Sequence, residues 1–234
     1  MSTIDFKAST RYYKQNKKFL KSAPLKFNLI NFPFWLIAAI RRQISIMLGL
    51  SISRDEFDSR VEERLNGISD ACYEFLGVDK SQTAIIKPIR FYDIADDWDI
   101  INYNKKEDKF RASKYCATVF LFSDRQLYYY DYKFSMIGPD YSEESGELFY
   151  QDITNIGVKH EEYLVEEAQS KKGGFFGKVF ARLKPKTGRA VESHSVALFT
   201  FTDSPVIRAR FTDMPDTRAS IHGMKQLIRE KRSD

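Results

Sequence analysis

The chain has 234 residues, of which 43% are hydrophobic, 15% aromatic and 29% charged, with a formal net charge of +5. That apolar share supports a packed core in one large domain or two small ones and excludes a disordered, solvated chain. Two cysteines, Cys72 and Cys116, exclude a disulfide framework, and the polar, basic stretch Met1–Lys21 does not read as a signal segment, so a reducing, cytoplasmic setting is expected.

The charge is unevenly spread. Up to Leu50 there are nine basic residues against one acid, Asp5, a local +8 that leaves −3 for the rest of the net +5. A basic arm on a near-neutral body points to an acidic partner: nucleic acid, anionic lipid or an acidic protein face. Met1–Lys26 reads as irregular or weakly helical, with Pro24 ending it. Pro33 suits the first turn of a helix, where its missing N–H costs nothing. Phe34–Leu50 is the most apolar stretch, but Arg41 and Arg42 interrupt it, and it falls short of the roughly 20 apolar residues a bilayer span needs. Wound as a helix, Ala38, Arg41, Arg42, Ser45 and Gly49 share one arc, and Leu36, Ile37, Ile40, Ile44, Met47 and Leu48 fill the opposite face.

Ser53 and Glu56 form a capping box for the next helix. Its apolar stripe is Phe57, Val61, Leu65, Ile68, Cys72 and Phe75, and Gly77 closes it in the left-handed conformation. From Thr83 the pattern turns to strands: a broken or edge strand around Ile85–Phe91, a short one at Ile100–Tyr103, and a polar connector at Asn104–Lys109. Tyr115–Phe122 turns through Ser123–Asp124–Arg125 into Gln126–Ile137, which Gly138–Pro139–Asp140 ends. Leu148–Tyr150 and Ile153–Val158 are extended, and a long polar excursion runs from Glu161 to Glu192. Strands return at Ser195–Phe201 and Val206–Phe211, and Pro215 opens a last helix with Ile221, Met224, Leu227 and Ile228 facing inward. This order, helices, then an antiparallel meander, then a helix, defines an α+β chain. It divides into residues 1–80, a basic arm with amphipathic helices, and residues 81–234, a β-domain with a long basic insertion at 161–192.

The common catalytic constellations are missing. Gly173, Gly174 and Gly177 lack the strand and the Lys-Ser/Thr of a phosphate cradle. His160, His194 and His222 fall on loop, strand and helix, and none has a second His or Cys at metal-ligand spacing. Cys116 and His194 share the sheet region, but a thiol between strand residues reads as a structural core group. Asp96 and Asp97, adjacent in sequence, do not make an acid–base pair. No catalytic residue, metal ligand or cofactor is therefore assigned.

The stretch Val119–Tyr128 (VFLFSDRQLY) resembles the strand–turn–strand of bacterial pleckstrin-homology-like and GRAM-type domains, and Leu148–Ile156 (LFYQDITNI) resembles their next strand. Ser195–Phe201, the turn at Asp203 and the helix after Pro215 continue the likeness, which covers roughly Tyr115–Lys231, with a first strand from Thr83–Tyr103. The resemblance implies a bent, seven-stranded barrel or sandwich closed by the C-terminal helix, without shared catalytic residues, binding lipids, peptides or proteins. The Glu161–Glu192 insertion and the helical N-terminal third depart from that pattern.

Within the insertion, Lys171, Lys172, Lys178, Arg182, Lys184, Lys186 and Arg189 are interleaved with Phe175, Phe176 and Phe180 without an acid. Cations mixed with aromatics suit an anionic, partly apolar surface. The expected lipid- or anion-binding residues are therefore Lys171, Lys172, Phe175, Phe176, Lys178, Arg182, Lys184 and Lys186, with Arg41 and Arg42 of the amphipathic helix. The leading expectation is peripheral association with anionic membrane lipid. The alternative is an assembly component whose Phe34–Leu48 face docks on a protein partner or a second copy, and that face could also pack on the Phe57–Phe75 stripe within the chain. Nucleic acid ranks behind both, because only Tyr12 and Tyr13 are interleaved with the N-terminal basic cluster and no known motif frames them.

Overall fold

The computed structural model describes residues 9–22, 32–83, 86–104, 107–166, 188–202, 204–212 and 215–233. Three helices come first: α1 (Thr10–Lys21), α2 (Phe32–Met47) and α3 (Arg54–Leu76). Nine strands follow: β1 (Ile89–Ile94), β2 (Ile101–Asn104), β3 (Lys109–Ala112), β4 (Lys114–Phe122), β5 (Gln126–Ser135), β6 (Tyr141–Phe149), β7 (Asn155–Glu166), β8 (Gly188–Phe199) and β9 (Pro205–Phe211). Helix α4 (Pro215–Ser233) ends the described chain. The α+β order expected from sequence is found.

All strand pairing is antiparallel. One sheet runs β1-β4-β5-β6, a second runs β7-β8-β9, and β2-β3 is a separate two-stranded ribbon. None of these sheets closes into a barrel, which corrects the barrel half of the expected barrel or sandwich. A core lies between the two larger sheets and is sealed by α4: Phe91, Phe120, Phe122, Leu127 and Tyr129 meet Val196, Leu198, Ile207 and Phe211, with Ile221, Met224 and Ile228 of α4.

A second core covers the opposite face of the same sheet. Phe19 and Leu20 of α1 and Phe57, Val61, Leu65, Ile68 and Cys72 of α3 pack on Tyr115, Val119, Leu121, Tyr130, Tyr132 and Phe134. Strands β4 and β5 are thus sandwiched between helices and sheet, so apolar or aromatic side chains occur on both of their faces, with Asp131 and Lys133 on the sheet-facing parity of β5 as polar exceptions. That second core also joins elements on the two sides of the boundary drawn near residue 80.

Helix α1 is regular where an irregular arm is expected. Ser9 caps it, its Oγ accepting from the Tyr12 N–H at 3.2 Å, and burial of Phe19 and Leu20 stabilises a segment too short to hold as an isolated helix. Ser53 caps α3, accepting from the Glu56 N–H at 3.1 Å, while the Glu56 carboxylate accepts from Arg60 at 2.7 Å. Gly77 ends α3 with φ at +66°, as expected.

Arginines tie the helices to the strands. Arg64, buried over the Phe134 ring, donates to the Ser135 carbonyl at 2.7 Å. Arg111 of β3 grips Asp58 of α3 with two bonds of 2.8 Å and holds its carboxyl below the usual range, although partial burial opposes this.

The first strand falls at Ile89–Ile94, later than expected, β3 at Lys109–Ala112 is unexpected, and two further stretches differ in extent. The polar segment Tyr141–Phe149 is a full strand; as an edge, it pairs only with β5, and its Glu143, Glu144 and Glu147 are suited to a solvated sheet margin. The expected excursion is shorter, because β7 runs on to Glu166 and β8 resumes at Gly188.

Phe57 is fully buried, with its ring 4.9 Å from that of Phe19. Phe57→Ala should destabilise the protein by about 3–5 kcal/mol, read as a lower urea midpoint with an unchanged slope.

Candidate functional site

Helix α2 sits on the body the wrong way round for a globular helix. Leu36, Ile37, Ile40, Ile44, Met47 and Leu48 are exposed, Met47 at 78% and Leu48 at 63%, and Leu50 beyond the helix is exposed as well. Arg41 and Gln43 are also exposed; at 100° per residue they lie at the two margins of this apolar face. Ala39, Arg42, Ser45, Ile46 and Gly49 are half-buried on the other side. The sequence reading of two opposed faces is therefore right, and it is the polar one that meets the protein.

The reason is a set of polar contacts from α1. Gly49, at φ +62°, turns its carbonyl to Arg11 Nη2 at 3.0 Å and Gln15 Nε2 at 2.6 Å. Lys18 Nζ donates to Ser45 Oγ at 2.9 Å and to the Leu50 carbonyl at 3.3 Å. The positive φ at residue 49 is a conformation L side chains rarely adopt, so the turn favours glycine, and a Cβ there would also displace the Arg11 guanidinium. The alternative in which α2 packs on the Phe57–Phe75 stripe is not found: the buried part of that stripe is covered by α1 and by β4 and β5.

Along α1 and α2 themselves the charge is of one sign. Arg11, Lys14, Lys17, Lys18 and Lys21 are all exposed on α1, and no acid lies between Thr10 and Leu50. Arg42 and Arg54 line one small crevice with Phe19 and Asn102. Partial burial, and after it the charge of Arg54, hold Arg42 below the ordinary guanidinium value. Of the residues expected to bind anions, Arg41 is exposed beside the apolar face and Arg42 is turned inward. Lys171, Lys172, Phe175, Phe176, Lys178, Arg182, Lys184 and Lys186 lie outside the described residues.

The two thiols are buried, and the adjacent Asp96 and Asp97 are held in ion pairs. Burial pushes the Cys116 thiol up to about 12, and it donates to the Asp93 carbonyl at 3.6 Å. Cys72 is pushed up equally, by burial in the helix–sheet core. Asp96 and Asp97 form ion pairs with Lys133, at 3.5 and 3.4 Å, and each has a second partner, Arg210 and Lys114 respectively. A cleft of about 440 Å³ beside α4 is lined by Asp124, Arg125 and Lys231 together with Phe149 and Tyr150. Its mixed charges converge on no nucleophile or base.

Asp93 of β1, like Asp131 of β5, has its pKa raised by burial. It spans the two larger sheets, accepting from Ser193 Oγ of β8 at 3.3 Å and from the Ile94 N–H at 2.7 Å. Burial pushes its carboxyl up to about 6, against the opposing pull of those two bonds and the Arg210 charge.

No protein-family model, curated protein or solved structure matches the chain.

Because folding raises the Asp93 pKa, its contribution to stability is complete below the unfolded carboxylate value near 3.8 and is lost as pH rises through about 6. Asp93→Asn removes that loss. Urea unfolding at about pH 4 and about pH 7.5 should show the variant gaining roughly 1–3 kcal/mol on the parent at the higher pH.

Proposed function

We propose that this protein is a non-enzymatic module that associates peripherally with anionic membrane surfaces through α2 and its basic surround, carried on a pleckstrin-homology-like β-domain. One observation carries the proposal: five large aliphatic side chains of one helix, and Leu48 just after it, face solvent while the helix's polar side faces the protein. Exposed apolar patches of this kind mark interaction surfaces. The basic residues of α1 and Arg41 complement an anionic leaflet, whereas like charge along α1 and α2 disfavours a second copy of the same face.

The magnitudes suffice for reversible binding. Each half-exposed aliphatic side chain gains about 1 kcal/mol on leaving water, and each cation near an anionic leaflet adds about 1 kcal/mol. No helix among the described residues is long and apolar enough to cross a bilayer, so α2 would lie in the interface plane. Support for the domain assignment comes from the four-plus-three strand order and from α4 plugging the core between those sheets. The basic, Phe-rich sequence between Lys171 and Lys186 would supply a second contact of the same chemistry.

Vesicle flotation of the full chain tests this. Recovery should be strong with phosphatidylcholine vesicles containing about one third phosphatidylserine and weak with phosphatidylcholine alone. Ile40→Asp with Ile44→Asp should cut recovery about tenfold or more, and Lys14→Glu with Lys17→Glu should abolish the preference for the anionic vesicles. Equal recovery from both vesicle types would remove the electrostatic half of the proposal. A chain that ignores both, and elutes as a dimer that the Ile40 and Ile44 substitutions split, would transfer the apolar face to a second copy.

A further inference from the structure

Away from α2, the β7–β8 ribbon brings together side chains that the sequence keeps 30 or more residues apart. His160 lies directly opposite His194, and Glu162 directly opposite Glu192. Residues two apart on a strand share a face, and opposite residues share it too, so these four side chains form one patch. The donor atoms of His160, Glu162 and Glu192 lie within 4.8 Å of one another, and all three residues are exposed. The His194 ring lies parallel to His160, centroids 4.5 Å apart, and rests in turn on Phe211 at 5.6 Å. That stack fixes the plane of the His160 imidazole on the side facing the glutamates.

We propose that His160, Glu162 and Glu192 form a binding site for a divalent first-row transition ion of the zinc class. Two carboxylates placed opposite each other on one sheet face repel unless a cation lies between them. Glu161, on the other face, pairs with Lys159, whereas none of the ion pairs among the described residues reaches Glu162 or Glu192. The imidazole decides the class of ion, because calcium and magnesium prefer all-oxygen shells and zinc accepts nitrogen and carboxylate together. Zinc holds such ligands at about 2.0–2.2 Å, which requires donors roughly 3.5 Å apart, a closure within reach of χ rotations in exposed glutamates. Bound there, the ion would cross-link β7 and β8 where they extend past the core. This site is independent of the membrane proposal.

Calorimetric titration of the full, reduced chain with zinc chloride tests it. The buried thiols of Cys72 and Cys116 are not competing ligands. One equivalent should bind. Glu192→Gln, which keeps the size of an exposed side chain, and His160→Ala should each weaken binding about tenfold or more, whereas His222→Ala on α4 should leave it unchanged. Excess magnesium should not compete. Absence of zinc binding, binding indifferent to Glu192→Gln and His160→Ala, or displacement by magnesium would each overturn the proposal.

Discussion

The β4–β5 hairpin is buried on both faces, and this constraint organises the rest of the chain. Along β4 eight consecutive residues, Tyr115–Phe122, are buried, divided between two cores by the alternation of the strand. A two-sided apolar hairpin needs two covers. The β7-β8-β9 sheet with α4 supplies one, and α1 with α3 supplies the other. Arg64, Arg111 and Asn16 fix the second cover by bonding to strand carbonyls and to Asp58, with Asn16 Nδ2 at 2.8 Å from the Met136 carbonyl.

That requirement settles what remains for α2. The stripe of α3 is spent on the sheet, and the apolar side of α1 is spent beside it, so what α1 offers to α2 is its polar side. The outward apolar face of α2 is thus a consequence of how the body is covered. It is the one large aliphatic surface for which the described fold provides no partner.

Local signals in the sequence carried far. The Ser53 cap, the Gly77 stop, the stripe on α3, the β4–β5 turn and the inward face of α4 all depend on neighbours within one or two turns, and all are found. What depended on distant pairing was illegible. Thr10–Lys21 has little intrinsic drive to be a helix, and burial of Phe19 and Leu20 against α3 and the sheet decides it. Tyr141–Phe149 is too polar to read as a strand, yet an edge with one paired side needs little more than backbone bonds and charges. The faces of α2 were readable; which of them turned outward was not. His160 fell in what looked like a loop, and only the register of β7 on β8 sets it against His194. Residues 158–165 mix polar and apolar groups on both parities, so alternation gives no strand signal there.

The outward pose of α2 is enforced by α1, and the arithmetic of its contacts shows why. Rotating the helix by half a turn would bring Ile40, Ile44 and Met47 down onto Arg11, Gln15 and Lys18, and would strand those donors without the Gly49, Ser45 and Leu50 acceptors. Those donors would lose their partners, and the aliphatic groups would gain little against so polar and solvated a surface. The four bonds themselves are worth about 1 kcal/mol each, enough to orient the helix but little more. The pose is therefore set from beneath by polar contacts, and the aliphatic face above them is left open to solvent.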